Sequence, residues 1–87
     1  MAVVRIPSLL RDLTGGKDTV EVPGSTLRQV INNLDKQYPG IKARLLDGDR
    51  LNPQITVAID GALISMGLLE PVEEGSEVSI IPRISGG

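Results

Sequence analysis

Ser25-Thr26-Leu27-Arg28-Gln29-Val30-Ile31-Asn32-Asn33-Leu34-Asp35-Lys36 is the stretch on which the fold turns. Leu27, Val30, Ile31 and Leu34 recur at i, i+3, i+4 and i+7, which places them in one apolar stripe down a helix. Arg28, Gln29, Asn32, Asn33, Asp35 and Lys36 fill the other face. Thr26 followed by Gln29 fits a capping box, with Ser25 as the alternative cap. Tyr38-Pro39-Gly40 stops the helix, because proline disfavours a helical residue before it. Ile41 to Leu46 has room for one more helical turn, and Asp47 to Pro53 reads as loop.

On either side of this helix the period changes to two. Ala2-Val3-Val4-Arg5-Ile6 is β-branched and is ended by Pro7. Asp18-Thr19-Val20-Glu21-Val22 alternates polar and apolar, the pattern of a half-buried strand. A partly packed connection with Leu9, Leu10 and Leu13, turning at Gly15-Gly16, joins the two as a hairpin. After the helix, Ile55-Thr56-Val57-Ala58-Ile59 is a third strand, followed by the hairpin signal Asp60-Gly61 and a short Ala62-Leu63-Ile64 segment. Leu68, Leu69 and Val72 are expected to plug the core, and Glu73-Glu74-Gly75-Ser76 to form an exposed turn. Val78-Ser79-Ile80-Ile81 is the last strand, ended by Pro82. Strands bracketing a single amphipathic helix predict an α+β fold, with a mixed sheet of four to five strands packed on one main helix. The sheet face away from the helix then carries Val3, Arg5, Thr56, Ala58, Ser79 and Ile81.

Composition narrows the chemistry. The 87 residues make one domain with an aliphatic core, since Tyr38 is the sole aromatic residue. There is no Cys, His or Trp, so Cys–His and Ser–His–Asp arrangements and Cys/His zinc sites are excluded. No metal ligands are predicted. A net charge of −2, without a basic stripe, argues against nucleic acid. No apolar run has membrane-spanning length and no signal-peptide pattern opens the chain, so the expected location is cytoplasmic. Gly15-Gly16-Lys17 is a fragment of a phosphate loop, but Arg11 and Asp18 stand where Gly and Ser or Thr are needed; the pair reads as a turn. Asp47 and Asp49 lack the further oxygen ligands of a calcium loop. Glu70, Glu73, Glu74 and Glu77 offer either a surface for a basic partner or a solvated loop.

The sequence closes on Pro82-Arg83-Ile84-Ser85-Gly86-Gly87. With 10 glycines in 87 residues, composition alone gives a terminal pair roughly 1% of the time. Without a Cβ, glycine backbone passes narrow channels at little steric cost. A carboxylate on Gly87 is the best candidate for a reacting group, once activated with ATP by a partner. The expected division is a domain over 1–82 and an extended tail over 83–87.

The strand–strand–helix–strands order, Gly24-Ser25-Thr26-Leu27-Arg28, Val57-Ala58-Ile59-Asp60-Gly61, Glu74-Gly75-Ser76-Glu77-Val78 and Gly86-Gly87 together resemble the small sulfur carriers of the MoaD/ThiS group. These share the ubiquitin-like β-grasp fold. The resemblance implies that a ubiquitin-activating-type enzyme adenylates the Gly87 carboxylate, that sulfur converts it to a thiocarboxylate, and that a second enzyme accepts the sulfur. The carrier itself is a protein cosubstrate, binds no cofactor and catalyses nothing alone. It further implies that Gly86 clears the partner's channel, that Arg83, Ile84 and Ser85 contact its walls, and that Ile81 and the open sheet face dock the partner's body. Arg5-Ile6-Pro7-Ser8-Leu9-Leu10-Arg11 with Thr14-Gly15-Gly16 is most similar to the branch serving a pyridoxal-phosphate cysteine synthase. In that branch an aminoacrylate-derived unit joins the carrier and a metalloprotease releases cysteine. The first strand lacks the aromatic residue usual in the molybdopterin-synthase small subunit, Pro7 standing there instead. That subunit, a ubiquitin-like modifier joined to lysines, and a β-grasp interaction module with an inert tail remain the alternatives.

Overall fold

The computed structural model describes residues 1–83. Seven strands and two helices follow in chain order: β1 Ala2–Arg5, β2 Thr19–Val22, α1 Leu27–Gln37, α2 Ile41–Leu45, β3 Leu46–Asp47, β4 Arg50–Leu51, β5 Ile55–Ile59, β6 Ala62–Leu63 and β7 Glu77–Pro82. Single 3-10 turns at Ser8–Leu10 and Gly67–Leu69 punctuate the connections. Five strands form one mixed sheet in the order β2-β1-β7-β5-β6. β1 and β7 run parallel, and every other neighbouring pair is antiparallel. The first and last strands therefore lie side by side near the middle of the sheet. This is the ubiquitin-like β-grasp arrangement, five strands on one main helix.

The stripe Leu27, Val30, Ile31 and Leu34 is buried as its spacing requires. It joins Val4, Val20, Val22, Val57, Val78 and Ile80 from the sheet in one aliphatic core. The cap uses both candidate residues. The Gln29 N–H donates to Thr26 Oγ1 at 3.3 Å, while Gln29 Oε1 accepts from the Ser25 N–H and hydroxyl, each at 2.9 Å. The Gln side chain thus reaches one residue further back than in the simplest capping box. Asp35 Oδ1 accepts from the Gly40 and Lys42 amides, which starts α2 just after α1 stops.

Three expectations need correction. Leu68 and Val72 are buried as plugs, but Leu69 is 67% exposed. Residues adjacent in a 3-10 turn point about 120° apart, so Leu68 and Leu69 cannot both face the core. The segment expected as plain loop over 47–53 includes the β3–β4 ribbon, in which Asp47 pairs with Arg50 across a two-residue turn. Its central Gly48 has φ +65°, a backbone region that favours glycine. Finally, Pro82 does not lie beyond the last strand; it pairs with Ile55 inside it. The Arg83 N–H donates to Gln54 O at 2.7 Å. By antiparallel alternation the Pro82 nitrogen then faces away from β5. On that side β1 pairing has already stopped at Ser79, so no ladder bond is lost.

Two positions hold the helix and the far hairpin in place. Gly24 has φ +150°, and a Cβ there would meet Val30 Cγ2 and Val30 N, both at 2.8 Å. The backbone entering α1 therefore passes too close to the first helical turn for any side chain. Asp60 sits at φ +52°, ahead of Gly61 at +86°, in the tight turn between β5 and β6. Its carboxylate also accepts from the Glu77 N–H at 2.9 Å and from the buried Ser76 hydroxyl at 3.1 Å. The turn is thereby clasped to the start of β7.

Two outcomes are expected in urea unfolding. Gly24→Ala loses about 2 kcal/mol of stability through the clash with Val30. Asp60→Ala loses about 1 kcal/mol, because its hydrogen bonds to Ser76 and Glu77 go and the positive φ remains. A Gly24→Ala midpoint equal to that of the parent would contradict the close approach. An unchanged midpoint for Asp60→Ala would contradict the clasp.

Candidate functional site

Of the six residues that the sequence nominates, the structure describes two. Ile81 and Arg83 lie at the end of β7; Ile84, Ser85, Gly86 and Gly87 lie outside the described residues. Ile81 stands opposite Thr56 of β5 and is 40% exposed. Arg83 is exposed, and its backbone is anchored to Gln54 by the bond already described. That bond ties the first residue of the expected tail to the residue just before β5.

Ile81 shares its sheet face with the residues predicted by alternation. The register pairs Ser79 with Ala58 and Arg5, and Thr56 with Ile81, so all lie on the face turned from α1. Val3, Thr56 and Ser79 are half-buried and Arg5 is exposed. Ala58, however, is only 7% exposed. Leu63 of β6 stands directly opposite it in the register and is itself 69% exposed. Leu63 was not among the expected face residues. The signal lay in the two-residue Asp60-Gly61 turn, which pairs Ile59 with Ala62 and hence Ala58 with Leu63. Leu63 and Ile81 are thus two large apolar side chains on one exposed sheet face.

Charge surrounds this face without forming a reactive cluster. Arg5 and Glu77 approach to 3.5 Å, both about half exposed, a geometry worth well under about 1 kcal/mol. The acidic run resolves into separate local roles. Glu70 Oε1 accepts from the Ser65 and Met66 amides and shapes the loop after β6. Glu74 pairs with the Met1 amino group, and Glu73 is exposed. Among the described residues no group of three or more acidic side chains is placed to hold a metal ion. No helix among them is long and apolar enough to cross a membrane.

The turn at Gly15-Gly16 follows its predicted form. Thr14, buried beneath it, donates its hydroxyl to Lys17 O at 2.8 Å and closes the loop internally. The Arg11 Nε–H donates to Ile6 O at 3.1 Å. What this molecule can present is a sheet face with the exposed apolar side chains of Leu63 and Ile81, the latter near the end of β7.

Comparison with known proteins agrees with this architecture. The ThiS family model matches residues 4–87. A curated relative, the sulfur carrier protein CysO of Mycobacterium tuberculosis, is 35% identical over 97% of this chain and 96% of its own length. A chain in the crystal structure of the Amycolatopsis orientalis BexX/CysO complex superposes with a TM-score of 0.95 at 35% identity, covering all of both chains. The solution structure of small archaeal modifier protein 1 from Methanosarcina acetivorans gives a TM-score of 0.82 at 26% identity, covering 99% of this chain and 95% of its own. With its sheet, helix, open face and nearly full-length family match in register, this chain belongs to the ThiS family of ubiquitin-like β-grasp proteins.

Proposed function

We propose that this chain is a sulfur carrier, a protein cosubstrate that is itself the thing passed between enzymes. The observation that carries the reading is the 35% identity, over nearly the whole of both chains, to a protein named as a sulfur carrier. The chemistry of the sequence is consistent with it. A chain without Cys or His has no ready side-chain nucleophile or zinc ligand, but it has a Gly86-Gly87 end.

In this reading the Gly87 carboxylate attacks the α-phosphate of ATP on a ubiquitin-activating-type partner and releases pyrophosphate. Sulfide then attacks the acyl carbon, AMP leaves, and a thiocarboxylate remains. The thiocarboxylate sulfur then adds to an aminoacrylate held by a second enzyme, a pyridoxal-phosphate cysteine synthase, and hydrolysis of the carrier's bond to the product by a metalloprotease releases cysteine and restores the Gly87 carboxylate. ATP and pyridoxal phosphate belong to the partners. Residues 1–82 form the docking domain and 83–87 the tail. Beyond Arg83 four residues remain, which reach at most about 14 Å when extended. So short a reach requires the partner to hold the domain close to its catalytic centre. Ile81 and the open sheet face serve that docking; Arg83, Ile84 and Ser85 contact the channel walls, and Gly86 lets the backbone through. A second reading, conjugation to lysines as a modifier, draws on the similarity to small archaeal modifier protein 1.

The test is intact-protein mass spectrometry after incubation with a family adenylating enzyme, ATP and a sulfur donor. The expected product has one oxygen exchanged for sulfur at Gly87. No exchange under conditions that convert a control carrier sinks the reading, and Gly-Gly remnants on target lysines instead establish the modifier. Gly86→Val is expected to abolish adenylation and leave the thermal midpoint unchanged; normal adenylation of that variant counts against the channel. Ile81→Asp is expected to raise the KM for the carrier about tenfold, the loss of roughly 1.4 kcal/mol at an interface anchor. An unaltered KM removes Ile81 from the docking face.

A further inference from the structure

A second surface lies where β7 leaves the sheet, apart from the open face. Pro7, Leu9, Gln54, Pro82, Arg44 and Arg83 line a cleft of about 190 Å³. Hydrogen bonds through the Asn52 side chain and the backbone link several of its lining residues. Arg83 N–H donates to Gln54 O at 2.7 Å, and Gln54 N–H donates to Asn52 Oδ1 at 2.8 Å. Asn52 Nδ2–H donates in turn to Arg44 O at 3.4 Å. Leu9 is pushed outward because its neighbour Leu10 takes the core position in the same 3-10 turn. The lining thus combines an exposed aliphatic side chain and two prolines with two arginines.

The charge of the cleft runs against that of the chain. Net charge is −2, yet Arg44 and Arg83 are the charged residues lining the cleft, and no carboxylate lines it. Neither Arg has an ion-pair partner among the described residues. β7 runs from Glu77 to Pro82; at its start the Asp60 carboxylate accepts from the Glu77 N–H, and the Glu77 carboxylate lies 3.5 Å from Arg5. The two arginines thus lie at the opposite end of β7, at the root of the tail. Two exposed guanidiniums beside apolar walls match a carboxylate that arrives with an aliphatic neighbour.

We infer that this cleft docks an acidic segment bearing an aliphatic side chain, carried by the enzyme that receives the tail. The identity of that enzyme rests on the sulfur-carrier reading; the chemistry of the cleft does not. A carboxylate-bearing loop seated here would lie beside Arg83, and so would fix where the following four residues start.

The test is a titration of the full chain, labelled with nitrogen-15, by a short peptide alternating Asp or Glu with Leu. Shifts are expected to concentrate on the Leu9, Leu10, Gln54, Ile55 and Arg83 amides, and to weaken as sodium chloride is raised. Arg44→Glu is expected to weaken the fitted affinity at least fivefold, while Arg44→Lys largely retains it. Leu9→Ser, on an exposed side chain, is expected to weaken it without disturbing the fold. Absence of shifts at the cleft overturns the inference. So do equal shifts from a Lys–Leu peptide, or from inorganic phosphate at the same concentration. Cleft shifts in a wild-type chain that is never converted to a thiocarboxylate uphold the cleft and reject the sulfur-carrier reading, so the two fail separately.

Discussion

The parallel pairing of β1 with β7 is the constraint on which the rest depends. Val3, Val4 and Arg5 stand beside Glu77, Val78 and Ser79, joining the two ends of the chain in the middle of the sheet. β2 can attach only on the free side of β1, and β5 only on the free side of β7. The same pairing sets direction. Because β7 runs alongside β1, it delivers Ile81, Pro82 and Arg83 to the end of the sheet where Pro7 and Leu9 lie. Both the docking face and the cleft follow from this one ladder. A contact of such long sequence separation carries a large loop-closure cost, and it is offset only when the core forms with it.

That core is aliphatic and is closed by α1. The helix buries one stripe, and its entry is fixed from both sides. Gly24 lets the chain pass close to Val30, while backbone bonds from Leu27 N–H to Glu70 O and from Val72 N–H to Ser25 O stitch the helix start to the segment before β7. The helix is thereby locked to the strand that carries the proposed tail.

Much of the fold was legible because its signals are local. The stripe 27, 30, 31, 34 and the alternation in 19–22 each arise within a few residues and are kept in the burial; in 55–59 the strand is kept, but Ala58 is buried along with Ile55 and Val57. The capping pair, the Asp-Gly turn and the helix stop followed for the same reason. The misses share the opposite cause. Leu69 is as apolar as Leu68, and only the direction of a 3-10 turn against α1 decides which is buried. Leu63 joined the open face only once the β5–β6 register was known. Asp60 read as a turn residue, although its carboxylate also holds Ser76 and the Glu77 amide, residues far along the chain.

By itself, then, the sequence determined the main helix, the longer strands and the class of chemistry open to a chain without Cys or His. Period and composition are properties of neighbouring residues, and they survive without knowledge of the fold. Tertiary structure alone decided which strands are neighbours, that Pro82 remains within β7, and that Arg44 and Arg83 line one cleft. Arg44 sits on α2 and Arg83 beyond β7, and no local pattern relates them. Only the free energy of closing one common core brings such distant residues together, and that energy belongs to the whole chain rather than to any segment of it.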